Sequence, residues 1–266
     1  MRFVYFTKLL KGKSVAELAD FLTSAGLGGA DLCVRPGYPV TPASAKKELP
    51  SVVQLFRDRK LTIPLVSAPT DMIDPADPAA IALFEACGKA RVPMVKIGYF
   101  RFSGRWNNTL DEARKKLAGF AKLGLRTGVR ALYHTHSGSY VGSNCEGMRW
   151  LLSDLDPHDI GAFVDTGHQA VGGAPLRQAF EAVAPWLSMI AIKDFAWEKT
   201  PQGWKNRVVP AGEGIVNWKE FSQALADRHY TGAVSLHGEY ETTDDADRLA
   251  KAKAEREFLQ RLTTSK

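Results

Sequence analysis

Residues 129–136 read Val-Arg-Ala-Leu-Tyr-His-Thr-His, a short and mostly apolar run that ends in two histidines. An apolar run of this length is typical of a strand buried in a parallel sheet. Residues 160–168, Ile-Gly-Ala-Phe-Val-Asp-Thr-Gly-His, repeat the arrangement, and so do residues 233–239, Ala-Val-Ser-Leu-His-Gly-Glu. Because the strands of a parallel barrel end on the same side, these segments predict one site built from polar residues of several strands.

The rest of the chain repeats a unit of strand, loop and helix. Continuous apolar strands that alternate with helices are typical of a parallel sheet covered on both faces. Such units filling 266 residues fit a closed barrel better than an open sheet. We therefore predict the α/β class and a single (β/α)8 TIM barrel domain over residues 1–266. The predicted strands are residues 3–6, 30–34, 61–66, 92–97, 129–133, 160–164, 187–192 and 233–236.

Helix signals lie between these strands. Ser14 and Glu17 have the spacing of a capping box, and Asp77 is a candidate cap for a later helix. Residues 98–108 and 195–217 each follow a strand, and we predict them as long irregular segments over the mouth of the barrel. Helices are predicted at about residues 43–59, 77–89, 109–123, 145–153, 218–228 and 244–262, with another between the sixth strand and residue 183.

The composition predicts neither a nucleic-acid partner nor a membrane protein. The 35 basic and 29 acidic residues give a net charge of +6, and the basic ones are scattered as on solvated helix faces. No apolar run is long enough for a membrane span, and no signal-peptide core is visible, so we expect a cytoplasmic protein. The three cysteines are far apart and predict neither disulfides nor a zinc ribbon. The sequence leaves a homo-oligomer open.

Several residues at predicted strand ends have side chains that bind metals or carry protons. His134, Asp165 and His237 offer two imidazoles and a carboxylate, which is enough for a divalent metal with open coordination positions. Without a metal, His134 and His237 could instead work as an acid/base pair, with Lys193 stabilising an enolate oxygen. His158 and His229 precede strands, so we expect them on the surface at the opposite end of the barrel. No Gly-x-Ser-x-Gly elbow is present, which disfavours a serine hydrolase.

Four segments together resemble one superfamily. Residues 133–138, 164–168, 192–194 and 210–218 are similar in order and spacing to the sugar phosphate isomerase/epimerase superfamily, the xylose isomerase-like barrels. That group includes inosose dehydratase, hydroxypyruvate isomerase and ketose 3-epimerases. Residues 30–37 are similar to its second strand.

The resemblance implies a divalent metal held by Glu, Asp, His and Glu from the last four strands. Asp165 matches the Asp, and His168 matches its companion in the Asp-x-x-His motif. His134 and His237 stand where the family has Glu, with Glu239 two residues beyond, and Ala191 replaces the His. His134, Asp165, His237 and Glu239 are therefore the candidate ligands for manganese, zinc, magnesium or cobalt, at a lower affinity for hard ions than the family's set.

The resemblance also implies proton transfer next to a carbonyl, through an enediolate, in a sugar, sugar phosphate or related ketone. We assign the base to His237 or Glu239, enediolate binding to Lys193 or a metal, and return of the proton to His134. The alternatives are a lyase or dehydratase that expels water from the same enolate, and a non-catalytic carbohydrate-binding barrel. Candidate substrate-binding residues are Arg35, Lys96, His136, His168 and Arg207.

Overall fold

Eight parallel strands close into a barrel in the computed structural model, which describes residues 1–264. Neighbouring barrel strands pair in chain order, and the last pairs with the first to complete the ring. The prediction of a (β/α)8 barrel is therefore confirmed. The barrel strands are β1 Arg2–Phe6, β2 Gly29–Cys33, β3 Thr62–Ser67, β4 Met94–Lys96, β5 Arg130–His134, β6 Ile160–Asp165, β7 Leu187–Ile192 and β10 Ala233–Leu236.

Helices follow the strands and cover the outside of the barrel. They are α1 Val15–Ser24, α2 Ala45–Asp58, α3 Pro78–Ala90, α4 Trp106–Thr127, α5 Cys145–Leu152, α6 Thr166–Gly172, α7 Leu176–Ala182, α8 Trp218–Asp227 and α9 Asp245–Thr264. None of the described helices combines the length and apolar character that crossing a bilayer requires.

Helix boundaries confirm some sequence signals and correct others. Ser14 and Glu17 form the predicted capping box, and the Asp77 carboxylate caps α3. The single helix predicted up to residue 183 is two helices, because the Gly172-Gly173 pair and Pro175 interrupt it. The start of α4 at Trp106 is earlier than the predicted residue 109.

The prediction of an irregular segment over residues 195–217 was wrong up to residue 209 and correct for residues 210–217, which contain no helix or strand. Residues 194–209 form an antiparallel hairpin of β8 Asp194–Thr200 and β9 Gly203–Val209. Its tip is exposed on both faces, so no apolar alternation marked it as a pair of strands. The sequence Pro201-Gln202-Gly203 was the one indication of a hairpin turn, and Gly203 adopts φ +111° there.

Asp194 holds the loop that follows this hairpin. Its fully buried carboxylate accepts hydrogen bonds of 2.9–3.1 Å from the indole of Trp218 and from backbone N–H groups. The backbone donors are Phe195, Gly212, Gly214 and Val216. Asp194 of the Lys-Asp pair therefore joins the end of β7 to the Gly-rich segment before α8.

The barrel interior is packed beneath the strand ends. One apolar cluster fills it, and a larger cluster lies between the barrel and the helices. Phe163 is the top of the interior cluster, and its ring contacts the His134 ring edge-on at 4.6 Å between centroids. The residues at the strand ends therefore lie directly above a packed apolar core. The interior cluster comprises Val4, Leu65, Leu132, Phe163, Met189 and Ala191.

Candidate active site at the carboxyl ends of the strands

Four strands deliver polar side chains to one small region at their carboxyl ends. His134 and Asp165 are the last residues of β5 and β6, and Lys193 and His237 directly follow β7 and β10. All four are buried, yet His134, Lys193 and His237 line a cavity of about 90 Å³. The convergence of these chain segments, which the sequence predicted, is thus present in the structure.

His134, Asp165 and His237 form a compact cluster. The Asp165 carboxylate oxygen Oδ2 lies 3.7 Å from His134 Nε2 and 3.7 Å from His237 Nδ1. None of these three atoms has a hydrogen-bond partner among the described residues, although each is buried. The other Asp165 oxygen accepts the backbone N–H of His168 at 2.9 Å, which fixes the carboxylate at the start of α6.

This cluster fits a divalent metal ion. Donors bound at about 2.1 Å to one ion stand roughly 3–3.6 Å apart, close to the observed separations. A buried polar atom without a partner is costly, and one shared cation would satisfy all three atoms at once. Two imidazoles and one carboxylate suit zinc, manganese or cobalt better than magnesium, which prefers oxygen ligands.

The two histidines of the cluster are held in the neutral form. Burial lowers the pKa of His134 well below its usual value, and the adjacent His237 adds to the effect. Burial, reinforced by Lys193, likewise lowers the pKa of His237. Their rings are stacked with centroids 5.5 Å apart. Neutral imidazoles are metal ligands and proton acceptors, so neither residue is suited to donate a proton at neutral pH.

Beside the cluster lies a carboxylate that the sequence interpretation missed. Asp31 on β2 is fully buried, accepts hydrogen bonds from Ser67 and Ser235, and lies 3.8 Å from His237 Nε2. Burial raises the pKa of Asp31 to about 6. A single acidic residue inside an otherwise apolar strand was the available signal. Asp31 faces the far side of the His237 ring without a hydrogen bond to it, at the position that carboxylates take behind metal-binding histidines.

Glu239 faces two lysines rather than the metal cluster. Its carboxylate forms ion pairs with Lys193 and with Lys8, and Lys193 also lies 3.6 Å from Asp165 Oδ2. Burial alone would raise the pKa of Glu239, but the charged amines of Lys193 and Lys8 hold it well below its usual range. Burial would lower the pKa of Lys193, but Asp165 and Glu239 raise it. The result is an ionised carboxylate next to a charged amine in the cavity wall.

Lys96 and Arg35, which the sequence predicted as substrate-binding residues, both line the same cavity. Lys96 is 3% exposed, and its Nζ has no hydrogen-bond partner in the described structure. It lies 3.7 Å from the centre of the Tyr99 ring, whose hydroxyl is 3.3 Å from His134 Nδ1. Burial and the nearby Arg35 lower the pKa of Lys96 well below its usual value. Lys96 thus offers a free nitrogen to a bound molecule.

The two remaining predicted histidines are stacked on each other, at 4.0 Å between ring centroids. His136 lines the cavity, and burial lowers its pKa to about 4. His168 lies outside the cavity lining, where its ring nitrogens contact Ser137 Oγ at 2.8 Å and Lys193 Nζ at 3.3 Å. Its contacts indicate that it positions Lys193 instead of touching a substrate.

Arg207 does not reach this site. It lies on β9, where it pairs with Glu198 at 3.5 Å, and more than half of its side chain is exposed. Lys8, which the interpretation missed, lines the cavity because it lies two residues after the end of β1, in a short 3-10 helix at Thr7–Leu10. The rule applied to the later strands, that residues after a strand end face the site, would have found it. His158 and His229 are exposed at the opposite end, as predicted.

Together these features define a (β/α)8 barrel with a polar, lysine-rich site at the carboxyl ends of its strands. The chain belongs to the xylose isomerase-like TIM barrel family, whose sequence model matches residues 19–262. This confirms the resemblance drawn from the four sequence segments.

Individual relatives extend this comparison. An inosose dehydratase of Mesomycoplasma hyopneumoniae is 26% identical over 168 residues, which cover 59% of this chain and 55% of that protein. The chain thus matches about half the length of that relative. A D-psicose 3-epimerase from Clostridium cellulolyticum superposes with a TM-score of 0.77 at 13% identity, covering 99% of both chains. A xylose isomerase-like barrel from Mycobacterium smegmatis, in complex with magnesium, gives a TM-score of 0.72 at 14% identity and covers 99% and 97%.

Proposed function

We propose that this protein is an isomerase or epimerase of sugars, sugar phosphates or related ketones that transfers a proton next to a carbonyl group. The observation that carries the proposal is the make-up of the small cavity. Of the described residues that line it, Glu239 is the only carboxylate, and it shares the lining with four basic residues, Lys8, Arg35, Lys96 and Lys193. Removing a proton next to a carbonyl needs one base and a positive environment for the enediolate oxygens.

Glu239 is our candidate for the base. It is ionised at neutral pH because its lysine partners lower its pKa, and it borders the cavity. Binding of a substrate oxygen to Lys193 would loosen the ion pair between the two side chains and raise the basicity of Glu239 at the moment of reaction. The same movement brings the Lys193 ammonium onto the developing enediolate.

Lys96 and Arg35 are our candidates for holding the substrate. Lys96 Nζ lacks a protein partner, so a sugar hydroxyl or carbonyl oxygen would satisfy it. The Arg35 guanidinium donates to the backbone oxygen of Ala68 at 3.1 Å, which leaves its other N–H groups for hydroxyls or a phosphate.

His134, Asp165 and His237 would hold a divalent metal. Bound there, such an ion supplies Lewis-acid polarisation of the substrate carbonyl. With these residues engaged as ligands, the proton transfer falls to Glu239. If the protein works without a metal, neutral His134 and His237 are free to accept the substrate proton. Only a histidine protonated in this way could return it, so His134 is not a resident proton donor as the sequence predicted.

A dehydratase is the second candidate, and the similarity to inosose dehydratase favours it. It would form the same enediolate, and a neighbouring hydroxyl would then leave as water with the proton that Glu239 had removed, instead of that proton returning to carbon. The two candidates share Glu239 and Lys193 and differ only in the fate of the intermediate.

Deuterium wash-in tests the proposal. Candidate ketoses, keto sugars and inososes are incubated with the protein in heavy water and followed by NMR, with Glu239→Gln and, as a matched control, the hairpin variant Glu198→Gln. We expect deuterium next to the carbonyl, lost in Glu239→Gln and kept in Glu198→Gln. An unsaturated product identifies the dehydratase. Sugar binding with no exchange across the panel would refute both enzymes and indicate a binding protein.

A further inference from the structure

A second and larger cavity adjoins the reactive one. It measures about 390 Å³, against about 90 Å³ for the inner cavity, and the two share Thr70 and Tyr99 in their walls. Tyr99 therefore stands between them. Its hydroxyl contacts His134 on the inner side, and its ring faces Tyr140, 5.3 Å away, on the outer side.

The outer cavity has an aromatic and apolar lining with a polar rim. Tyr99, Phe100 and Tyr140 contribute rings, and Ile73 and Ala113 contribute aliphatic surface. The exposed rim residues Asp71, Arg101, Ser103 and Glu112 can exchange hydrogen bonds with hydroxyl groups. Two carboxylates against one guanidinium make this rim unfavourable for a phosphate, in contrast to the lysine-rich inner cavity.

The wall between the cavities is held in place by the backbone. Gly98 donates to the backbone oxygen of Met72 at 2.8 Å, Tyr99 to that of Thr70 at 3.0 Å, and Val141 to that of Phe100 at 3.0 Å. A side chain at Gly98 would place its Cβ 2.6 Å from the Thr70 backbone oxygen. The segment after β4 and the segment after β3 therefore approach so closely that only glycine fits at this position. The outer cavity is therefore preformed, as ligand sites usually are.

We infer that the outer cavity is a second subsite that binds a neutral, ring-shaped substituent of the substrate, so that the substrate is a glycoside rather than a free monosaccharide. This inference rests on the proposed function and specifies its substrate class. The inner cavity is too small for two rings, and it contains the reactive groups. The rings of Tyr99 and Tyr140 would contact the apolar face of a second sugar or an aromatic aglycone, and the rim would bind its hydroxyls.

Binding of unreactive glycosides tests the inference without turnover. Titration calorimetry compares methyl β-D-glucoside, phenyl β-D-glucoside and cellobiose on the wild-type protein and on Tyr140→Ala and Tyr140→Phe. We expect at least one ring-bearing ligand to bind roughly tenfold more tightly than the methyl glucoside, as stacking on an aromatic wall implies. Tyr140→Ala should lose this advantage, and Tyr140→Phe should keep it because the ring remains. The exposed aromatic Trp150, outside both cavities, provides a control variant, Trp150→Ala.

The outcomes separate the inference from the proposed function. A preference for the phenyl glucoside alone identifies an aromatic aglycone, and a preference for cellobiose identifies a second sugar; either supports the subsite. Equal affinity for all three ligands, no binding at millimolar concentrations, or a preference unchanged in Tyr140→Ala would overturn it. If the subsite is overturned but ketoses still exchange deuterium, the proposed function stands and only the subsite is lost. If glycosides bind as expected but no ketose exchanges deuterium, the subsite stands and the proposed function is lost.

Discussion

Metal binding at His134, Asp165 and His237 is the most direct consequence of the geometry. The three donor atoms are buried, have no hydrogen-bond partners in the described part of the chain, and lie within 4.8 Å of one another. We expect chelator-treated protein to gain thermal stability when zinc, manganese or cobalt is added, and to gain least from magnesium. Asp165→Asn should lose this response, because it removes the only charged ligand and leaves a weakly binding amide in its place.

The size of the effect follows from mass action. Metal at 100 times its Kd stabilises the folded state by about 2.7 kcal/mol. An unfolding entropy of about 2.1 cal/mol/K per residue, over 266 residues, converts this to a Tm increase of about 5 °C. A hundredfold loss of affinity in Asp165→Asn would leave only about 0.4 kcal/mol at the same concentration, a shift of less than about 1 °C.

The assay is scanning calorimetry with and without metal, alongside elemental analysis of the purified protein. Taking the difference between metal and chelator for each variant cancels any effect of the substitution on the stability of the metal-free protein. Asp111→Asn, an exposed residue on α4, is the matched control and should respond like the wild type. Metal binding by this cluster would be refuted by equal Tm shifts in Asp165→Asn and wild type, or by no Tm shift with any of the four ions. The remaining hypothesis would then be that His134 and His237 accept protons without a metal.

Three further predictions concern other parts of the molecule. Asp194→Asn should destabilise the fold by about 4 kcal/mol in urea titrations, because an amide cannot accept from all five donors; a loss under about 1 kcal/mol would contradict the anchoring role. Burial raises the pKa of Glu255, whose charge interacts with Asp194, to about 8, so the folded chain binds a proton that the unfolded chain releases. Stability should therefore fall as pH rises from about 4.5 to 8, and Glu255→Gln should remove that slope and add about 3 kcal/mol at pH 7; a parallel slope in the variant would exclude this residue. Lys193→Met should slow deuterium exchange about 10²–10³-fold, whereas the exposed Lys199→Met should not; equal rates would remove Lys193 from the chemistry.

The sequence predicted the barrel because each of its strands is a continuous apolar run. Burial on both faces requires such runs, and helices separate them. The same signal was absent from β8 and β9, which project from the barrel and are exposed toward their tip, so the hairpin was not foreseen. A wrong inference about Arg207 followed, since that residue was assigned to a loop over the mouth and lies instead on the hairpin, paired with Glu198.

The candidate site was predictable where a chemical group ends a barrel strand or directly follows one. His134, Asp165 and His237 meet as expected because parallel strands end together. Asp31 was missed because it lies within a strand rather than after one, and only the neighbouring Ser67 and Ser235 make its burial tolerable. Spacing along the chain does not show how each histidine ring is oriented. The partner of each ring nitrogen, and the contact of His168 with Lys193, depend on three-dimensional packing.

The substitutions that distinguish this site act on its charge. The resemblance implies three carboxylates and one histidine around the metal, whereas here two of the carboxylate positions hold neutral imidazoles. The site therefore attracts a hard cation less strongly. The same change removes negative charge beside a cavity lined by Lys8, Arg35, Lys96 and Lys193. An enediolate formed there would be stabilised by the Lys193 ammonium once it turns from Glu239 toward the substrate oxygen. Weaker metal binding and stronger binding of an anionic intermediate are thus two expected results of one change. If the proposed proton transfer occurs, chelator-treated protein should retain part of the deuterium exchange.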